Sequence, residues 1–271
     1  MINEKYYVID AHCHIYPDKI ALKATDGTAR FYGLDPYADG TVSRLLEDGA
    51  RAGIDHFIVQ SVATTPKQVQ SINAFIACTV AESGGKMTGL GALHPDSDDI
   101  AGDIEHLMEL GLHGVKLHPD IQNFRVDDAK CLAIYEICGQ KGLPILMHTG
   151  DHRYDNSNPN RVAPILRSYP FLTVVGAHFG GWSVWEQVRK QMLDIPNLYV
   201  DCSSTMPYVG GTEMLEMIRF FGAERVLFGT DYPLWSPEKE LKGFMALDLS
   251  DEERTLILSE NSKKVYQLEA I

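Results

Sequence analysis

Val8–Pro17 reads VIDAHCHIYP: a β-branched apolar run passes directly into two histidines two residues apart, His12 and His14, and the stretch closes on a proline. With Tyr6 and Tyr7 ahead of it, the segment is short, rich in Val, Ile and Tyr and bounded by Pro17, which predicts a strand that ends in a loop. Side chains alternate along a strand, so His12 and His14 share one face and Cys13 takes the other. On a helix the same spacing would splay the two rings apart. Two neutral imidazoles on one face at a strand end suit a divalent ion such as zinc. Asp10 stands just ahead of the pair. Taken alone, the motif fits two partly exposed histidines with no ligand role equally well, so the rest of the chain decides.

The rest of the chain repeats the pattern. After the first run come IDHFIVQSVA, MTGLGALHP, HGVKLHP, LPILMHTG, LTVVGAHFG, NLYVDCS and RVLFGTD, eight candidate strands in all. Helical stretches separate them at roughly 41–53, 66–83, 98–110, 127–141, 158–168 and 212–222, and in SVWEQVRKQML the residues Val184, Val188 and Met192 recur at i, i+4 and i+8. Strand–helix alternation of this kind predicts parallel strands joined by right-handed crossovers. Eight such units in 271 residues, with no Pro/Gly/Ser linker between halves, predict an α/β fold: a single (β/α)8 TIM barrel over residues 1–271, with its active site at the C-terminal ends of the strands. The competing open, doubly wound sheet lacks a G-x-G-x-x-G loop at its first strand–helix junction.

The composition sets further bounds. At 45% hydrophobic and 23% charged residues the chain matches a globular protein rather than a disordered one. A formal charge of −13 offers no sequence-wide attraction to nucleic acid or to an anionic membrane. No signal-like segment begins the sequence and no apolar run approaches bilayer length, so a cytoplasmic location is expected. Five scattered cysteines without C-x-x-C spacing predict reduced thiols, with Cys131 and Cys138 in the core.

On a barrel these runs become a constellation. His12 and His14 end strand one, His94 strand three, Lys116 and His118 strand four, His148 strand five, His178 strand six and Asp231 strand eight. Each histidine alone would more often be structural, yet polar residues at most of the strand ends, aimed at one mouth, point to a metal-dependent active site.

At this point the sequence resembles the amidohydrolase superfamily, in particular the branch that holds aminocarboxymuconate-semialdehyde decarboxylase and pyrone-dicarboxylate lactonase. The matching motifs are IDAHCHIYP, GVKLHPDIQNF, PILMHTGD, VVGAHFGG, LFGTDYP and SENSKKVYQL, spread over essentially the whole chain. The resemblance implies that His12, His14, His148 and Asp231 hold one divalent ion, with zinc expected and manganese the alternative. It further implies that Asp231 and His178 are catalytic. Bound zinc brings the pKa of its water down to about 7; Asp231 would orient that water and pass its proton on, and His178 would polarise the substrate carbonyl or steady negative charge. Lys116 lies near the place where some relatives carry a carboxylated lysine between two metals, although this branch usually keeps one metal.

The expected reaction is hydrolysis of an amide, ester or lactone of a small molecule, and non-oxidative decarboxylation of an aromatic or enol acid is the alternative on the same site. A TatD-like nuclease would need a glutamate where VKLH stands, and a non-catalytic binding module would close its zinc with four side chains. The expected partner is a small molecule, without nucleic acid or membrane, and a homodimer stays open. Tyr16, Gln122, Asn123, Arg125, Arg153, Trp182 and Trp235 follow strand ends and are candidate substrate contacts or plain loop residues, with an arginine suited to a carboxylate. His94 is equally open. His56, His106, His113 and His152 read as surface or structural residues. The stretch Pro17–Gly40 shows no periodicity and reads as a long loop, a candidate lid.

Overall fold

The computed structural model describes residues 5–268. Eight strands form the sheet: β1 (Ile9–His14), β2 (His56–Gln60), β3 (Met87–Gly89, resuming at Gly91–Ala92), β4 (Val115–Leu117), β5 (Ile145–Met147), β6 (Val174–Gly176), β7 (Leu198–Asp201) and β8 (Val226–Leu227). Neighbouring strands are parallel throughout. Within β3 the ladder changes hands at Leu90, whose N–H donates to the Val59 carbonyl while that of Gly91 donates to Gly114, both at 2.9 Å. The first and last strands then close the ring. Ala11 N–H reaches the Phe228 carbonyl at 2.8 Å, Asp231 N–H reaches His12 at 2.9 Å and His14 N–H reaches Tyr232 at 2.7 Å. The fold is a TIM barrel, as the alternation of strand and helix predicts.

Helices at Val42–Ala52, Val69–Glu82, Ile100–Glu109, Leu132–Lys141, Pro159–Ser168 and Trp185–Gln191 fall inside the expected stretches. The helix expected at 212–222 begins earlier, at Met206, because a preceding helical turn is joined to it through Gly210 at φ 73°. No described helix is long and apolar enough to cross a membrane.

Pro17–Gly40 is not a structureless loop. Asp18–Tyr32, α1, is a 15-residue helix that stops at Gly33, whose φ of 68° lets its N–H turn back to the carbonyls of Ala29 and Arg30. Its buried positions are Ala21, Thr25 and Ala29. They keep perfect helical spacing, but small residues carry too little hydrophobicity for the stripe to stand out in the sequence.

Both faces of the strands are buried, and the residues sort into two cores. Ile9, Ala11, Ile58, Leu90, Leu146, Val175 and Leu227 form one with Tyr266, and they fill the barrel. Val8, Cys13, Phe57, Val59, Val115, Leu117 and Ile145 belong to the other, beneath the helices. β1 changes face midway: Ile9 and Ala11 point inward, whereas Cys13 and Ile15 point outward. The cause is a bulge, since Asp10 pairs with Phe57 and Cys13 with Val59, three residues against two. One extra residue reverses every side chain beyond it, and it turns His12 and His14 inward.

Asp10 locks the seam beside that bulge. Its fully buried carboxylate accepts from Thr230 N–H at 2.9 Å, from Thr230 Oγ1 at 2.6 Å and from His12 N–H at 3.2 Å. Behind β8, Asn261 ties the C-terminal helices to the barrel by donating to the Ala223 and Val226 carbonyls at 2.7 Å each.

Two outcomes follow from this packing. Asp10→Asn keeps an oxygen for the two N–H groups but removes the charge and sets an amide NH2 against the Thr230 hydroxyl, and urea denaturation should show a loss of roughly 1.5–3 kcal/mol, the scale of hydrogen bonds to a charged group; an unchanged midpoint and slope would refute the seam. Glu240, buried in the helix Pro237–Met245, has its carboxyl pushed up to about 7 by burial, with Asp10 and Asp231 adding to it. A carboxyl that holds its proton more tightly when folded gives its full stabilisation below its ordinary value of 4.5 and loses it as pH rises through about 7. The melting temperature of Glu240→Gln should therefore gain on the native protein between pH 5 and pH 8.5, and a constant difference would contradict it.

Candidate active site

Three donor atoms converge at the seam. His12 Nε2 lies 3.2 Å from His14 Nε2, and Asp231 Oδ1 lies 3.4 Å from the first and 3.5 Å from the second. Ligands about 2.0–2.1 Å from a tetrahedral zinc ion stand roughly 3.3 Å apart, so the trio has the separation of a chelating set. All three residues are buried and line a cavity of about 300 Å³ at the C-terminal end of the barrel.

Hydrogen-bond partners assign the ring protons. His12 Nδ1 faces Asp201 Oδ2 at 2.9 Å and His178 Nδ1 faces the Ser203 carbonyl at 3.0 Å, so each carries its proton there and bares Nε2. His148 Nε2 faces the Gly150 carbonyl at 3.0 Å and bares Nδ1, which stands 3.1 Å from His178 Nε2. Lone pairs thus face each other around the cavity, an arrangement that a divalent cation satisfies. The donor set fits such an ion. Burial drives His14 and His148 well below the usual histidine range, and His178 down to about 4, so the rings stay neutral and able to ligate.

Asp231 and His178 sit on left-handed backbone, at φ 61° and 59°. Such conformations are uncommon for residues other than glycine and gather at functional sites; they swing both side chains off the regular alternation toward the mouth. Burial raises the Asp231 carboxyl, but His12, His178 and the Ser204 hydroxyl outweigh it and hold the group below its ordinary value. Ser204 Oγ donates to Asp231 Oδ2 at 2.6 Å and receives Trp235 Nε1–H at 2.7 Å. Oδ1 is left to face the two histidines.

The structure brings His12, His14 and Asp231 into one group, and sets His148 beside His178 instead. Lys116 projects inward with its Nζ 3.0 Å from His12 Nε2, and burial lowers its ammonium to about 8 against the pull of Asp231 and Asp201. His118 stacks flat on His148 with centroids 4.1 Å apart, so both strand-four candidates face the same mouth. Among the loop candidates, Tyr16 lines the cavity. Gln122 is structural, donating to the Ala63 and Leu93 carbonyls at 2.8 Å each. Arg153 is already paired, with Nη2 2.7 Å from Asp151 Oδ2. Trp182 borders an annex of about 200 Å³. His94 accepts from Asp96 N–H at 3.1 Å in its own turn, and His56 bridges Gly85 and Thr88.

Asp201, Ser203, Ser204 and Tyr32 carry no assignment from the sequence. Asp201 accepts from His12, from His178 N–H at 3.1 Å, and from the N–H of Ser203 at 3.0 Å and its hydroxyl at 2.5 Å; the His12 and His178 rings and the Ser203 hydroxyl outweigh burial and hold its carboxyl far below the usual range. The DCSS end of strand seven was the available signal, since it is polar like the other strand ends. Tyr32 had none, because it arrives on α1 rather than on a strand.

A model of the amidohydrolase family matches residues 9–268. No curated protein matches the sequence at a significant level. An uncharacterized TIM-barrel protein from Bordetella bronchiseptica superposes with a TM-score of 0.79 at 22% identity, over 96% of this chain and 98% of its own. The 5-carboxyvanillate decarboxylase of Novosphingobium aromaticivorans, complexed with manganese and 4-hydroxy-3-methoxy-5-nitrobenzoic acid, gives 0.75 at 17% identity over 97% and 96%. A probable 2-pyrone-4,6-dicarboxylic acid hydrolase from Acinetobacter baumannii, with citric acid bound, gives 0.70 at 16% over 96% and 99%. At these identities the likeness establishes the fold.

His12→Ala and His14→Ala are expected to lose a stoichiometric divalent ion on elemental analysis while circular dichroism stays native. Asp201→Asn, which leaves every proposed ligand in place but disturbs the carboxylate behind His12 and His178, should weaken the ion roughly 10–100-fold in chelator competition. Undiminished metal in all three would exclude the trio as ligands.

Proposed function

Because this chain belongs to the amidohydrolase family, we propose that it is a metal-dependent hydrolase that opens an amide, ester or lactone bond of a small molecule. His12, His14 and Asp231 would hold one divalent ion with His148, zinc in preference to manganese. Bound there, the ion supplies Lewis acidity, which acidifies water toward neutrality and polarises a substrate oxygen.

The protein's own groups account for the rest. Asp231 is the observation that carries the reading: one oxygen is fixed by Ser204 and the other faces His12 and His14, so the carboxylate can orient water and accept its proton. From there the proton passes to the leaving group. His178, neutral with its Nδ1 proton held by Ser203, presents a bare Nε2 that can accept a hydrogen bond from the attacking water. Asp201 keeps the His12 ring in the tautomer that bares Nε2.

Decarboxylation is the second reading, favoured by one feature. The Lys116 ammonium sits in the same buried cavity and would attract a substrate carboxylate toward the trio, and 5-carboxyvanillate decarboxylase is among the structural neighbours.

Labelled water separates the two. When lactones, esters, amides and aromatic acids are offered to the metal-loaded protein, solvent oxygen-18 is expected in the carboxyl group of the product. Carbon dioxide release, with solvent hydrogen on the product carbon and no oxygen-18, would overturn hydrolysis in favour of the carboxy-lyase.

A further inference from the structure

We propose that Tyr32 is a catalytic residue whose O–H donates a hydrogen bond to the substrate oxygen that gains negative charge during bond cleavage. The assignment rests on the hydrolase reading above. Tyr32 ends α1, outside the barrel strands, and lines the same cavity as His12, His14 and Asp231.

Its hydroxyl is flanked by two imidazoles, with Oη 2.8 Å from His118 Nε2 and 3.3 Å from His148 Nε2. The tautomers set the direction of both contacts. His118 Nδ1 accepts from Ile121 N–H at 3.3 Å, which puts the ring proton on Nε2. His148 Nε2 carries a proton because it faces the Gly150 carbonyl. The His118 N–H therefore points at the phenol oxygen, the His148 N–H is given to the Gly150 carbonyl, and because neither nitrogen is left to accept, the hydroxyl's own proton aims at the cavity. A phenol that accepts a hydrogen bond in this way is a stronger donor than a free one.

The ring is held in place. Trp182 meets it edge-on at 5.1 Å and 73°. Arg153 clasps the end of the helix: its Nη1 donates to the Phe31 carbonyl at 2.7 Å and its guanidinium lies 5.3 Å from the Tyr32 ring, while Asp151 fixes the other side of the fork. A donor fixed before the reaction has no reorganisation cost when charge develops, the condition under which such hydrogen bonds act most strongly. A tyrosine that merely plugged the mouth would matter to stability and metal retention, not to the stabilisation of charge.

The test compares the metal-loaded native protein with Tyr32→Phe. Phenylphosphonate, whose charged tetrahedral oxygens imitate the developing oxyanion, is titrated calorimetrically, and turnover of 4-nitrophenyl acetate is measured beside it. The variant is expected to bind phenylphosphonate roughly 10–100-fold more weakly and to lose kcat by roughly 10²–10³ with KM little changed, while metal content and melting temperature are kept. Equal affinity and equal kcat overturn the assignment and leave the hydrolase reading standing. Metal loss with kcat per bound metal preserved makes Tyr32 a plug, which also overturns it. Weakened phenylphosphonate binding by the variant, with no hydrolysis by either protein of 4-nitrophenyl acetate or of any lactone, ester or amide in the panel above, retains Tyr32 as the oxygen-binding group and removes the hydrolase reading.

Discussion

The seam between the first and last strands is the constraint on which the site depends. A barrel closes only where strand one finds strand eight, and here the closing hydrogen bonds come from the residues that form the candidate metal site: Asp231 N–H to the His12 carbonyl, and His14 N–H to that of Tyr232. Asp10 reinforces the junction from within by gathering Thr230 and His12 onto one buried carboxylate. Fold and site are thus coupled through a few bonds. The trio can converge because the ring is shut, and a seam that opened would separate Asp231 from the two histidines.

Burial gives the rest of the site its character. Imidazoles packed out of water cannot hold a charge, and His14, His118 and His148 are driven well below the ordinary range for that reason first. Neutral rings need a choice of tautomer. Asp201, Ser203, Gly150 and Ile121 make that choice from behind. The outcome is asymmetric: bare nitrogens of His12, His148 and His178 face the candidate metal side, while the N–H of His118 faces Tyr32 and that of His148 faces the Gly150 carbonyl.

Much of this was legible along the chain. Strand–helix alternation and the polar strand ends survive folding almost unchanged, because parallel strands buried on both faces must be apolar until they reach the mouth. Asp201 was harder to see, since a lone aspartate after LYV differs from an ordinary loop residue only once His12, 189 residues away, lies against it. α1 was hidden because alanine and threonine, not large apolar residues, make its buried stripe. Gln122 and Arg153 stood open between substrate contact and plain loop residue from their places after strand ends, and the structure shows them engaged by backbone carbonyls and by Asp151.

The sequence by itself determined the eight-strand barrel, the end of it where the candidate site lies, and the placing of His12 and His14 on one common face, because each follows from local periodicity. It could not determine which face. Strict alternation from Ile9 and Ala11 would have sent both histidines outward, beneath the helices, and the single-residue bulge between Asp10 and Cys13 reverses them. The tertiary structure also decided the left-handed turns at His178 and Asp231, the tautomer of each imidazole and the arrival of Tyr32 from a helix. All of these depend on bonds between residues far apart in sequence, which exist only after the barrel has closed.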